Sequence, residues 1–131
     1  MPNFEIVRRN FQPAAVGTTE TTAIYSVAKG TRVVSVSVKG ITAAASSTNS
    51  TIQVGDGDDT DGFVKTTDYD LENAVATIKP GTGAYVDSTQ TGKLYESADT
   101  VDVVYTINST PGATTPKVQV ALVIIREFPA G

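Results

Sequence analysis

The side chains best placed for chemistry lie in one short run, Val54-Gly-Asp-Gly-Asp-Asp-Thr-Asp-Gly-Phe63. Carboxylates this dense suit a hard cation such as calcium, with Asp56, Asp58, Asp59 and Asp61 as the candidate ligands. The spacing matches a calcium-binding helix–loop–helix only weakly. If Gly62 is taken as the invariant loop glycine, the first ligand position holds Gly57 and the twelfth holds Asp68 rather than glutamate. The competing reading is a solvated loop in which Asp and Gly supply turn geometry through side-chain-to-backbone hydrogen bonds and positive φ. Asp58, Asp59, Asp61, Asp68 and Asp70 are also numerous enough to supply a pair of glycosidase carboxylates. Such an enzyme needs a groove lined by aromatic platforms, and this chain has no Trp, five Tyr and four Phe. Tyr69 and Tyr85, in turn-rich segments, are the candidates for stacking on a sugar, and a carbohydrate-binding module is the alternative function they support. Gly81-Thr-Gly83 lacks the Lys-Ser/Thr that a phosphate loop requires.

Composition narrows the chemistry further. The chain has 131 residues with neither Cys nor His. That excludes Cys and His nucleophiles, the Ser-His-Asp triad, Cys/His zinc sites and a disulfide framework. No motif supports Lys-based catalysis, so the expectation is a non-enzymatic protein with no cofactor. Ten basic against fourteen acidic residues give a net charge of −4. Such a balance offers no drive toward a phosphate backbone, so nucleic acid is not an expected partner. The charge is uneven: residues 56–72 hold seven acids and one base. No apolar stretch approaches the ~20 residues of a membrane-spanning helix, and the start of the chain has no signal-peptide pattern, so no membrane partner is expected.

The elements that would position these residues read as strands. Thr, at 20 residues, and Val, at 17, dominate, and their branched Cβ atoms favour a pleated surface. Alternation is clearest over Arg32–Ile41, where Val34, Val36 and Val38 share a face. It is as clear over Asp99–Asn108, with Val101, Val103, Tyr105 and Ile107, and over Lys117–Glu127, with Val118, Val120, Leu122 and Ile124. Weaker candidates are Phe4–Arg9, Glu20–Ala28, Thr51–Val54, Gly62–Lys65, Gly83–Val86 and Gly92–Glu96. Asp68–Thr77 is the one helical candidate, with Asp68 or Asp70 as its cap. Seven to nine short strands punctuated by Gly and Pro turns predict an all-β, antiparallel β-sandwich or jelly roll in one domain, 1–131. Residues 1–15 and 127–131 are expected to be extended arms.

The last strand carries a second message. Its alternate face, Gln119, Ala121, Val123 and Ile125, begins polar and becomes apolar. Either that face is buried within its own sandwich, or it is a subunit or partner contact, because exposed aliphatics are a liability on a monomer. Val104 on the preceding strand, with Phe4, Phe11 and Phe128 in the arms, completes the expected contact set.

Several stretches resemble small structural proteins of tailed bacteriophages. They are Ile52–Phe63, Gly83-Ala-Tyr85, Gly92-Lys-Leu-Tyr95 with Ala98–Val103, and Lys117–Val123. These blocks are similar to head decoration, or cement, proteins of jelly-roll type. The resemblance implies a virion protein made in the host cytoplasm and placed on the capsid exterior. It also implies the major capsid protein as partner and a homo-oligomer, with a trimer favoured. The matching segments are strands and turns, so the resemblance carries over no functional residue.

Overall fold

A computed structural model describes residues 4–12, 18–42, 50–69, 78–86, 92–107 and 117–126. They form eight antiparallel strands: β1 (Phe4–Phe11), β2 (Thr18–Val27), β3 (Thr31–Thr42), β4 (Thr51–Gly55), β5 (Ile78–Pro80), β6 (Lys93–Tyr95), β7 (Asp99–Ile107) and β8 (Lys117–Arg126). No helix occurs among the described residues. The strands make two sheets, one ordered β1-β8-β3-β5 with β6 also on β3, the other ordered β2-β7-β4. β6 lies against the start of β3 and β5 against its middle, so the two short strands share one edge end to end. β1 pairs with β8, β2 with β7 and β3 with β6. The chain is an all-β sandwich.

Alternation on the long strands packs the core. Val118, Val120, Leu122 and Ile124 of β8 face Val101, Val103 and Tyr105 of β7, with Val33, Val36 and Val38 of β3 and Ile52 and Val54 of β4 filling the layer between. Each side chain of this size contributes roughly 1.5–3 kcal/mol when taken fully out of water. On β3 the structure corrects the expected face. Val33 pairs with Ile124 but Ser35 pairs with Val123, so Val34 is the extra residue of a β-bulge. The bulge reverses the parity of everything before it. Val33 and Thr31 point inward, and Val34 is only half-buried.

Other expectations shift in the same way. Phe4–Arg9, a weaker strand candidate within the expected 1–15 arm, belongs to edge strand β1, which runs to Phe11 and pairs residue by residue with β8. Gly62–Lys65 contributes a single bridge, Val54 to Val64, and Gly83–Val86 is a turn. Strand β5 is short and exposed, and its sequence gave no sign of it. The described start of the helical candidate, Asp68-Tyr69, is a turn and its end, whereas 70–77 lie outside the described residues, as do 1–3 and 127–131. Asp68 still acts as a cap. Its carboxylate accepts hydrogen bonds from the backbone N–H of Lys65 at 2.9 Å, from the N–H of Thr82 at 2.7 Å and from the Thr82 hydroxyl at 2.6 Å. It ties the 65–68 turn to the 81–83 segment.

Candidate functional site

The acidic loop follows β4 directly, and its first carboxylate turns inward. Asp56 is 1% exposed. Its Oδ1 accepts from the backbone N–H groups of Asp58 and Asp59, both at 3.0 Å, and from the Tyr85 hydroxyl at 3.1 Å. Its Oδ2 accepts from Lys93 Nζ at 2.7 Å and from the Tyr95 hydroxyl at 2.9 Å. Lys93 also donates to the Tyr85 hydroxyl at 3.1 Å, and its ammonium lies 4.5 Å and 4.9 Å from the centres of the Tyr85 and Tyr95 rings. Three segments far apart in sequence therefore meet on one buried carboxylate: the β4 exit, the 83–86 turn and β6.

The electrostatics follow from those contacts. Burial works against the charge on Asp56, but the Lys93, backbone and Tyr95 donors outweigh it and hold its carboxyl below the usual range. Burial alone would lower Lys93, yet its bonds to Asp56 and Tyr85 raise it well above an ordinary lysine. Burial, then the hydrogen bond to Asp56, raises Tyr95. An ammonium held this firmly in its charged form is a poor nucleophile at neutral pH, and a carboxylate taking five hydrogen bonds has no lone pair left for a cation. The cluster works as a tie.

The remaining candidate calcium ligands do not gather around a centre. Asp58 is exposed, 3.7 Å from Lys93 Nζ. Asp59 accepts from the backbone N–H of Asp61 at 3.4 Å, and a side-chain hydrogen bond between the two acids raises the Asp61 carboxyl, with burial adding to it. Among the described residues, no group of three or more acids is arranged to hold a metal ion. The loop matches the hydrogen-bonding part of the turn-forming reading. The Asp56 and Asp59 carboxylates accept from backbone N–H groups two or three residues on, and Asp59 C=O accepts from the N–H groups of Asp56 and Gly62 at 3.0 and 3.1 Å. Gly55, Gly57 and Gly62, however, do not take up positive φ.

The two tyrosines expected to stack on sugars are turned into the molecule. Tyr69 is 4% exposed and belongs to the core. Tyr85 meets Phe63 edge to face at 5.1 Å, its ring lies against Gly62, and Lys93 covers it. Neither ring is an open platform. The 62–63 and 83–85 segments bond to each other, Gly83 N–H to Phe63 C=O at 3.1 Å and Tyr85 N–H to Gly62 C=O at 2.8 Å, which brings the Tyr85 ring onto Phe63, itself in the core.

The expected contact residues separate into different places. Phe4, Ala121, Val123 and Ile125 share the outer face of the five-stranded sheet, with Phe4 65% exposed. Val104 belongs to the other sheet, between Thr21 and Gln53, and faces out from the opposite side of the sandwich. Phe11 points inward and stacks on Tyr105, ring centres 4.4 Å apart. Phe128 lies outside the described residues. Two residues missed in the sequence join the outer face: Ile6, 54% exposed beside Val123, and Ile78, 63% exposed beside Lys39. Alternation with Phe4 signals Ile6, whereas nothing in its neighbourhood signals Ile78. A hollow of about 190 Å³ opens on this face, lined by Ile6, Arg8, Lys39, Ile78, Ala121 and Val123 among others. A second, of about 200 Å³, lies beside Lys93 and Tyr95. Both are below the ~300–1,000 Å³ usual for small-molecule sites.

Fold and site together describe a two-sheet antiparallel sandwich in which Asp56, Lys93, Tyr85 and Tyr95 are tied to one another and one sheet face carries exposed apolar side chains. Among solved structures it is similar to a chain of the cyanophage Pam1 capsid asymmetric unit, with a TM-score of 0.65 and 15% sequence identity over 95% of this chain and 85% of that one. At that identity the likeness is one of fold. No protein-family model and no curated protein matches the sequence.

Proposed function

We propose that this chain is a non-enzymatic structural protein of a virion, a decoration or cement protein that sits on the outside of the major capsid protein shell and assembles as a trimer. One observation carries the reading. The fold match to a phage capsid chain spans 95% of this chain and 85% of that one, so the likeness covers the sandwich as a whole rather than a few strands. The resemblance in Ile52–Phe63 and Lys117–Val123 to small phage structural proteins points the same way. The site geometry is in keeping with it, because a permanent shell part needs rigid internal ties and an adhesive surface, not a reactive centre. Cement of this kind acts by burying area across junctions between shell subunits, so that opening the shell must also break those contacts.

The test compares particles with and without the chain. Particles lacking it should release their DNA at a lower temperature, and adding the purified chain back should restore the original value. Equal stability of the two would rule out a cementing role. Sedimentation equilibrium of the purified chain should give three times its 13.7 kDa.

A further inference from the structure

The two outer faces of the sandwich differ in kind. On the three-stranded sheet, the outward residues include Thr19, Thr21, Ala23, Thr100, Asp102 and Thr106, small and neutral apart from one acid. The outward positions of the five-stranded sheet are apolar and basic. Phe4, Ile6, Val123, Ile125 and Ile78 supply the apolar part, and Arg8 and Lys39 the charge. Among the described residues of that face there is no acid. Glu5, the acid of β1, alternates to the other side and lies 3.9 Å from Arg126. The molecule as a whole is acidic, at −4, so a face whose described strand residues carry cations and no carboxylate departs from the average of the chain.

From this asymmetry we infer that the outer face of the five-stranded sheet is the docking surface, and that its partner is a protein surface whose apolar centre is bordered by carboxylates. Charge decides among the possible occupants. Two copies meeting face to face about a twofold axis would set Arg8 and Lys39 against their own kind, which disfavours self-pairing here. A phosphate backbone would satisfy the cations but leave Phe4, Ile6, Val123 and Ile125 against a hydrated, charged strand. An acid-rimmed apolar protein surface satisfies both sets. Arg8 and Lys39 flank the 190 Å³ hollow, and Ala121 and Val123 line it. A protruding apolar side chain of the partner would fill that hollow while its acids meet the two cations. The inference deepens the proposed function and rests on it, with the capsid shell supplying the acid-rimmed surface.

The experiment adds purified full-length chain to shells that lack it and measures co-sedimentation across a range of salt concentrations. The unaltered chain should bind, and its binding should weaken as salt rises. Arg8→Glu/Lys39→Glu and, separately, Phe4→Ser/Ile6→Ser should each lose on the order of tenfold or more in affinity. Gln53→Glu, on the opposite sheet, should bind as the unaltered chain does. Circular dichroism of each variant confirms that these exposed changes leave the fold intact. If the unaltered chain fails to bind, the functional reading falls and the inference falls with it. If it binds and the face variants bind equally well, the inference alone is overturned. It is overturned equally if the variants lose their trimer, which would make the face a subunit contact, or if random duplex DNA displaces the chain from the shells.

Discussion

Asp56 shows how one carboxylate can hold a loop region together. It lies at the meeting point of the β4 exit, the 83–86 turn and β6, and it binds donors from all three. Removing one partner of a buried pair costs more than the pair itself contributes, because the survivor stays desolvated without compensation. Asp56→Ala, which orphans a partly buried ammonium and two tyrosine hydroxyls, should therefore destabilise the fold by about 3 kcal/mol. Lys93→Ala leaves the carboxylate four of its donors, so it should cost less, about 1.5 kcal/mol. Urea unfolding of the two variants checks both the size and the order. Acid should act through the same groups. Burial raises Asp68, as it does Asp56, but the Thr82 hydroxyl and the backbone N–H groups of Lys65 and Thr82 outweigh it and bring its carboxyl below the usual range. Between the folded and unfolded titrations the unfolded chain binds more protons, so stability there rises with pH. The contribution is complete above the ordinary carboxylate range, near 3.8, and is lost as pH falls through the lower folded values. Unfolding midpoints measured on a pH series should decline at the acid end, and Asp56→Asn should show a shallower decline. An unchanged slope would mean that Asp56 is not the group being titrated.

At the scale of elements, the strands with unbroken alternation were legible, and those with irregularities were misread. β7 and β8 keep strict period-2 faces, and their buried residues, Val101, Val103, Tyr105, Val118, Val120, Leu122 and Ile124, are those that alternation predicts. β3 also reads as a strand, but the bulge at Val34 moves the first buried valine to Val33. No single-sequence period can locate that inserted residue, because Arg32-Val-Val-Ser35 fits either register. Valine truncation tests it. Val33→Ala should cost about 2 kcal/mol through lost burial and a residual cavity, and Val34→Ala well under 1 kcal/mol. Chemical denaturation giving the reverse order would place Val34 inside and remove the bulge. β2 hides its pattern for the same reason, a second irregularity between Ala23 and Tyr25. The acidic loop was visible from its composition, yet its role was not. The three side-chain donors to Asp56, Tyr85, Lys93 and Tyr95, come from 29 or more residues away, and long-range pairing leaves no local mark. Tyr69 and Tyr85 were misplaced likewise, since a turn-rich segment looks exposed until its packing against the core is seen.

As a whole molecule, the protein has two unlike sides. The apolar second face of β8 was legible from Ala121, Val123 and Ile125, but whether it lies buried or exposed and how far it extends were not, because β1 and β5 complete it from distant parts of the chain. Val104, which alternation also turns outward, faces the other way because β7 and β8 lie in different sheets. If the basic, apolar face meets the shell, the threonine-rich sheet faces solvent, where the Thr19 and Thr106 hydroxyls already bond one another at 3.0 Å. Function then requires permanence and a high copy number rather than turnover. Quantitative mass spectrometry of purified particles tests this most directly. The account predicts the intact 131-residue chain in fixed proportion to the major shell protein, in hundreds of copies per particle. Finding it in infected-cell lysate but not in the particles would contradict the account.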